Sequence, residues 1–119
     1  MKVVVIGGGA AGMMFSTQYK KANPSHDVSV FEKTEFVAWA GCPTPYYIAK
    51  ELPRESVVLG TADEFIAKGI DVNINHNVKE INVNEKYINV EGNKISGKVF
   101  YDKLILCLGA KSFVPTIEG

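Results

Sequence analysis

At 119 residues the chain has material for one domain around one modest core, and 46% hydrophobic with 22% charged residues is an ordinary globular composition. Thirteen basic and thirteen acidic side chains cancel, and no basic stripe or acidic tail suggests nucleic acid or a charged surface as partner. The apolar run after Met1-Lys2 stops at glycines after four residues, too short for a signal sequence, and no other stretch approaches a membrane span.

Val3-Val4-Val5-Ile6 reads as a buried strand, and Gly7, Gly9 and Gly12 follow it in G-x-G-x-x-G spacing around Ala10 and Ala11. In a strand–turn–helix unit the first glycine permits a tight turn. The second lets a pyrophosphate approach backbone, and the third lets helix pack on strand. The phosphate charge then rests on free N–H groups at the helix N-terminus. That helix is expected over Ala10 to Ala22, where Ala11, Met14, Phe15, Gln18, Tyr19 and Ala22 recur at helical spacing and give a mostly apolar inner face. Asn23-Pro24 ends it. Asp27 to Glu32 alternates as a second strand, completing a parallel, right-handed βαβ unit. Glu32 ends that strand, where an acid receives ribose hydroxyls.

Phe36 to Leu52 gathers aromatics, prolines and a thiol in a connection longer than folding alone requires, and such connections tend to be functional. Pro45 fits the first turn of a helix running through Tyr46, Ile48, Ala49 and Leu52, ended by Pro53. Cys42 stands just before that helix, a position that favours the nucleophilic thiolate. Thr61-Ala62-Asp63-Glu64 predicts a capping box opening a short helix with Phe65 and Ile66 inward, stopped by Gly69. Ile70, Val72 and Ile74 alternate with polar residues as a half-buried strand. Val78 to Val83, Tyr87 to Glu91 and Ile95 to Tyr101 are three more strands, linked by turn residues into an antiparallel meander. Lys103 to Leu108 is a last buried strand, which puts Cys107 in the core, and it leads into Gly109. The two cysteines lie far apart without metal-ligand spacing, so the expectation is a reduced, cytoplasmic protein with no metal site.

Four segments carry a family resemblance. They are Gly7-x-Gly9-x-x-Gly12 with Glu32-Lys33; Cys42-Pro43-Thr44-Pro45-Tyr46-Tyr47; Tyr101 through Ala110; and Val114-Pro115-x-Ile117-x-Gly119. Together they resemble the flavoprotein pyridine nucleotide-disulfide oxidoreductases. Within these the chain is most similar to the single-cysteine subgroup of coenzyme A-disulfide reductases, NADH oxidases and NADH peroxidases.

The resemblance implies an α/β, Rossmann-like FAD/NAD(P)-binding fold with a parallel sheet and a three-stranded antiparallel meander. It implies FAD as cofactor, held by Gly7, Gly9, Ala10, Ala11, Gly12, Glu32, Lys33, Cys42, Val78 and Gly109. Glu32 would take the adenosine ribose, and backbone near Val78 the adenine. NAD(P)H would be the co-substrate. A small-molecule disulfide, peroxide or oxygen would be the acceptor at the catalytic Cys42, in a homodimer when complete. Gln18 matches a substrate-contacting position and Lys21 keeps a positive charge there; the two share an exposed helix face that a pantetheine or phosphate group would meet.

The chain departs from the family at several points. Ala10 stands where the oxidase and peroxidase branch has a histidine, which tilts the expectation towards disulfide reduction. Ala38 and Gly41 replace the Ser and Asn common before the cysteine, and Pro43 removes a backbone donor next to the thiol. The resemblance covers the N-terminal, FAD-binding part only, residues 1–119, without nicotinamide-binding or C-terminal interface domains; the expectation is a domain fragment inactive by itself. A non-catalytic FAD- or NAD-binding module with a structural cysteine is the alternative.

Overall fold

The computed structural model describes residues 1–117, and the last residue of the C-terminal motif, Gly119, lies outside them. Seven strands and three α-helices follow in chain order. They are β1 (Lys2–Ile6), α1 (Ala10–Ala22), β2 (Asp27–Phe31), α2 (Thr44–Ile48), α3 (Ala62–Ile66), β3 (Asp71–Asn73), β4 (His76–Asn82), β5 (Tyr87–Gly92), β6 (Gly97–Phe100) and β7 (Lys103–Leu106).

Four strands form a parallel sheet in the order β3-β2-β1-β7. The other three form an antiparallel sheet in the order β4-β5-β6, the predicted meander. β1 reads as an unbroken apolar run because it is covered on both faces, as a central parallel strand is. Val3 and Val5 join Met13 of α1 with Val28, Val30, Phe65 and Val72 on one side. Val4 and Ile6 meet Phe31, Ile88, Val90, Val99 and Tyr101 on the other. The meander therefore lies across the parallel sheet as a third layer.

Several boundaries differ from expectation. α1 buries Gly12, Met13 and Ser16, while Met14 is 63% exposed, so the helix is rotated from its apolar pattern. The cause is close approach: small residues let α1 sit on the glycine turn, and the inward Ser16 hydroxyl donates to the Gly12 carbonyl at 2.7 Å. α2 is only five residues long and buries none of them. Phe65 is buried but Ile66 is exposed, since a five-residue helix presents one inward position here. β6 begins at Gly97, because Lys94 and Ile95 give their N–H groups to a side chain, not to a ladder. β7 ends at Leu106, so Cys107 falls outside it and is half-exposed. Among the described residues no helix is long and apolar enough to cross a membrane.

Candidate functional site

The turn between β1 and α1 is built by contacts that admit no side chain. Gly7 has φ +100° and its N–H donates to the Phe31 carbonyl at 2.9 Å. A Cβ on Gly7 would collide with the Cys107 carbonyl, and one on Gly12 would collide with the Gly7 carbonyl. Gly9 is different: a Cβ there meets nothing within 4 Å, so its open side faces a recess. Gly7 and Gly12 thus take the turn and packing roles that the spacing predicts, and Gly9 has an open side.

At the start of α1 the backbone donors divide into used and free. Ala10 N–H donates to the Trp39 carbonyl at 3.3 Å, and Met13 N–H donates to Gly9 at 3.0 Å. The N–H groups of Gly9, Ala11 and Gly12 have no protein acceptor among the described residues. They are the unpaired donors a helix N-terminus offers an anion.

Glu32 is held from two sides. One carboxylate oxygen accepts the Gly8 N–H at 2.8 Å; the other accepts the Thr34 N–H at 2.8 Å and the Thr34 hydroxyl at 2.9 Å. A carboxylate offers roughly four lone-pair sites, so part of its acceptor capacity remains for a ligand. The sequence pattern does not reveal Gly8, whose N–H aims the acid and whose Cβ would lie 2.9 Å from that of Glu32. The signal was available only as a fourth glycine inside the fingerprint.

Two recesses meet at this turn. The first, about 180 Å³, is lined by Gly7, Glu32, Lys33, His76, Val78 and Leu108 among others. The second is an open groove of about 680 Å³ along Gly9, Ala10, Ala11, Trp39, Cys107 and Gly109. Leu108 borders both. Of the residues predicted to hold FAD, Gly7, Glu32, Lys33 and Val78 line the first recess and Gly9, Ala10, Ala11 and Gly109 the second, while Gly12 lines neither. Cys42 lines neither, although its neighbour Gly41 lines the groove. Cys107 packs against the core cluster as expected, and it also borders the groove.

The loop that carries Cys42 is tied to the glycine turn. Ala38 N–H donates to the Gly8 carbonyl at 2.7 Å, and Leu59 N–H donates back to Ala38 at 3.2 Å. Ala38 pays for this path with φ +56°, an uncommon conformation for a residue with a Cβ. Closer to the thiol, the Trp39 indole N–H donates to the Thr44 hydroxyl at 3.2 Å, which donates to the Ala40 carbonyl at 3.1 Å. Cys42 is exposed and lies one residue before Pro43, the N-cap of α2. With five residues α2 carries little of the dipole that a long helix would offer the thiolate.

Gln18 and Lys21 are both exposed but line different recesses. Gln18 borders one of about 310 Å³ with Met13, Met14 and Leu59; Lys21 borders one of about 420 Å³ with Lys20 and Pro24. Thr17 and Lys68 line both, and Lys68 is the cation the sequence did not point to. Lys20 is already engaged by the carbonyls of Pro24 and His26, at 3.0 and 2.7 Å.

Over residues 1–119 the chain matches the family described as pyridine nucleotide-disulphide oxidoreductase. It is 39% identical over 119 residues to the NAD(P)H coenzyme A polysulfide/persulfide reductase of Pyrococcus horikoshii, covering 99% of this chain and 26% of that protein. It is 32% identical over 113 residues to the coenzyme A disulfide reductase of Staphylococcus haemolyticus, covering 92% and 26% respectively. The fold superposes with TM-score 0.89 on the water-forming NADH oxidase of Lactobacillus brevis bound to NADH, at 29% identity, covering 100% of this chain and 27% of that one. The chain thus spans about a quarter of the length of the curated relatives it matches. Members of this family are FAD flavoproteins that use NAD(P)H. With the fingerprint turn, the parallel sheet and the meander all in place, the chain belongs to the pyridine nucleotide-disulphide oxidoreductase family.

Proposed function

We propose that these residues are the FAD-binding N-terminal part of an NAD(P)H-dependent reductase that acts through Cys42 on a small-molecule disulfide or persulfide. One observation carries this reading: the backbone bonds Ala38–Gly8 and Ala10–Trp39 hold the Cys42 loop against the same turn whose free N–H groups await an anion. The residues present fit FAD. Gly9 leaves room for a pyrophosphate, Gly9, Ala11 and Gly12 donate to it, and Glu32 has acceptor capacity for ribose hydroxyls. Lys33 and Val78 line the recess that would take the adenosine, and Gly109 lines the groove that would take the other end of FAD.

FAD, when bound, supplies the two-electron chemistry that links NAD(P)H to sulfur. The chain's own part is nucleophilic. The Cys42 thiolate attacks one sulfur of the acceptor, a Cys42–substrate disulfide forms, and the second sulfur leaves as a thiolate that takes up a proton. The Trp39–Thr44–Ala40 hydrogen bonds hold the loop that presents the thiol. Gln18, Lys21 and Lys68 line recesses beside α1 where an amide-bearing arm and an anionic end of the substrate have partners. Ala10 at the start of α1 offers no acid–base side chain for oxygen or peroxide, which favours sulfur as acceptor. Two free cysteines support a reducing, cytoplasmic location, and the family resemblance supports a homodimer.

The test uses the intact protein. It is expected to purify yellow, and Cys42→Ser is expected to keep the flavin while losing NAD(P)H-dependent reduction of coenzyme A disulfide and persulfide. A colourless protein that binds only NAD, or unchanged turnover in Cys42→Ser, overturns the reading. The second reading, a dinucleotide module with a structural cysteine, is favoured by one fact: among the described residues Cys42 has no hydrogen-bond partner.

A further inference from the structure

His76 is 1% exposed, yet both of its ring nitrogens are engaged. Nδ1 lies 2.7 Å from the Ile74 carbonyl, which can only accept, so Nδ1 carries the proton. Nε2 lies 3.0 Å from the Ile95 N and 3.3 Å from the Lys94 N, which can only donate, so Nε2 is bare. The neutral ring with its proton on Nδ1 therefore satisfies all three contacts at once. Through them one side chain bridges the β3–β4 crossover and the β5–β6 turn.

The same residue is fastened to the nucleotide recess. Its backbone N–H donates to the Glu32 carbonyl at 2.9 Å, and its ring meets Phe31 edge-on, with centroids 6.2 Å apart. Opposite the ring stands Gly92, where any Cβ would collide with the imidazole. Glu32, His76 and Val78 all line the first recess. Phe31 also packs against Ile88 and Val90 of the meander, and the contacts of His76 add polar ties to that apolar seam.

We propose that His76 is the positioning residue of the adenosine end of the site. Its ring acts on the Glu32 end through the edge-on contact with Phe31, the residue before the acid, and on the other side it fixes the start of β4 that leads into Asn77 and Val78; it never touches the reacting atoms. This rests on the reading of the recess as part of an FAD site. A glutamine at 76 keeps an acceptor for the 94–95 amides but loses the donor to Ile74. An asparagine does the reverse. Neither replaces the ring that fills the space left by Gly92.

In the intact flavoprotein, FAD release on dilution is read by flavin fluorescence, and ADP is titrated as competitor for the adenosine end alone. His76→Gln and His76→Asn are expected to raise the dissociation constants of FAD and ADP by the same factor, roughly tenfold, the worth of one lost buried hydrogen bond. The Glu32→Gln variant lowers ADP affinity too, and in the double variant with His76→Gln the losses fall short of additive, because one acts through the other. Nitrogen-15 spectra of the unaltered protein report a neutral imidazole protonated on Nδ1, whether or not either variant folds. Unchanged ADP affinity in a folded variant, fully additive losses, or a proton on Nε2 overturns the proposal. If the unaltered protein binds neither FAD nor ADP, the FAD reading itself falls, and that outcome is distinct from a normal site indifferent to His76.

Discussion

Gly9 and Gly12 lie in one turn, yet adding a methyl to each meets opposite obstacles. At Gly12 the new Cβ would run into the Gly7 carbonyl, so α1 must lift off β1. Overpacking of that kind costs about 1–3 kcal/mol, so Gly12→Ala is expected to lower the melting temperature of the intact protein clearly. At Gly9 nothing lies within 4 Å and φ is −68°, which alanine adopts freely. Gly9→Ala should leave stability within about 0.5 kcal/mol and weaken FAD instead, because in the proposed site the methyl would stand where a pyrophosphate approaches. Equal destabilisation by both substitutions would contradict this division. Glu32→Gln removes the charge but not the shape; a hydrogen bond to a charged group is worth about 1.5–3 kcal/mol, so FAD affinity should fall at least tenfold in a fluorescence titration. The spaced glycines and Glu32 were legible in the sequence because each has a role fixed by local geometry. Gly8, His76 and Lys68 were not, because their partners Glu32, Ile95 and the α1 recesses come together only in the folded chain.

At the scale of elements, legibility followed the strength of the local signal. The Thr61–Glu64 capping box is formed in both directions, the Glu64 N–H donating to the Thr61 hydroxyl and the Thr61 N–H to the Glu64 carboxylate. Thr61→Ala is therefore expected to cost about 1 kcal/mol in thermal unfolding, since α3 is short and its buried Phe65 depends on the cap. An unchanged midpoint would mean that Phe65 packing alone holds the helix. α1 was readable in extent but not in orientation. Its apolar spacing at Ala11, Met14 and Ala22 pointed one way, while the need to approach β1 closely turned Gly12 and Ser16 inward. The helix after Cys42 shows the reverse failure: Pro45 and the following apolar residues promised a longer element than the five residues formed, none of which is buried. Without tertiary packing a helix that short has little stability of its own. In the proposed function α2 therefore contributes little to activating the Cys42 thiolate.

For the molecule as a whole, the two sheets are well covered where they face each other and bare along one side. β7 pairs with β1 on one edge only, and after it the chain leaves Leu106, Leu108, Phe113, Val114 and Ile117 between 55% and 88% exposed. A soluble monomer rarely presents so many large apolar side chains together, and an open strand edge invites pairing. No sequence pattern announces this, because Leu106 and Leu108 read as ordinary buried strand residues until the neighbour of β7 is sought and not found among the described residues. The chain spans about a quarter of the length of its curated relatives, and under the proposed function, an N-terminal part of a longer enzyme, this side is one that other segments would cover. Residues 1–119 expressed alone should then bind a hydrophobic dye and self-associate as concentration rises, measured by dye fluorescence and sedimentation. Leu108→Ser combined with Phe113→Ser should reduce both without changing the melting temperature much, since neither side chain belongs to either core cluster. Hydrogen exchange adds a position-resolved check. Alternate N–H groups of Lys103–Leu106 point away from β1, and they should exchange quickly in the short chain and slowly in the intact protein. Fast exchange in both would show that β7 remains an edge, and that the apolar side is covered by something other than an added strand.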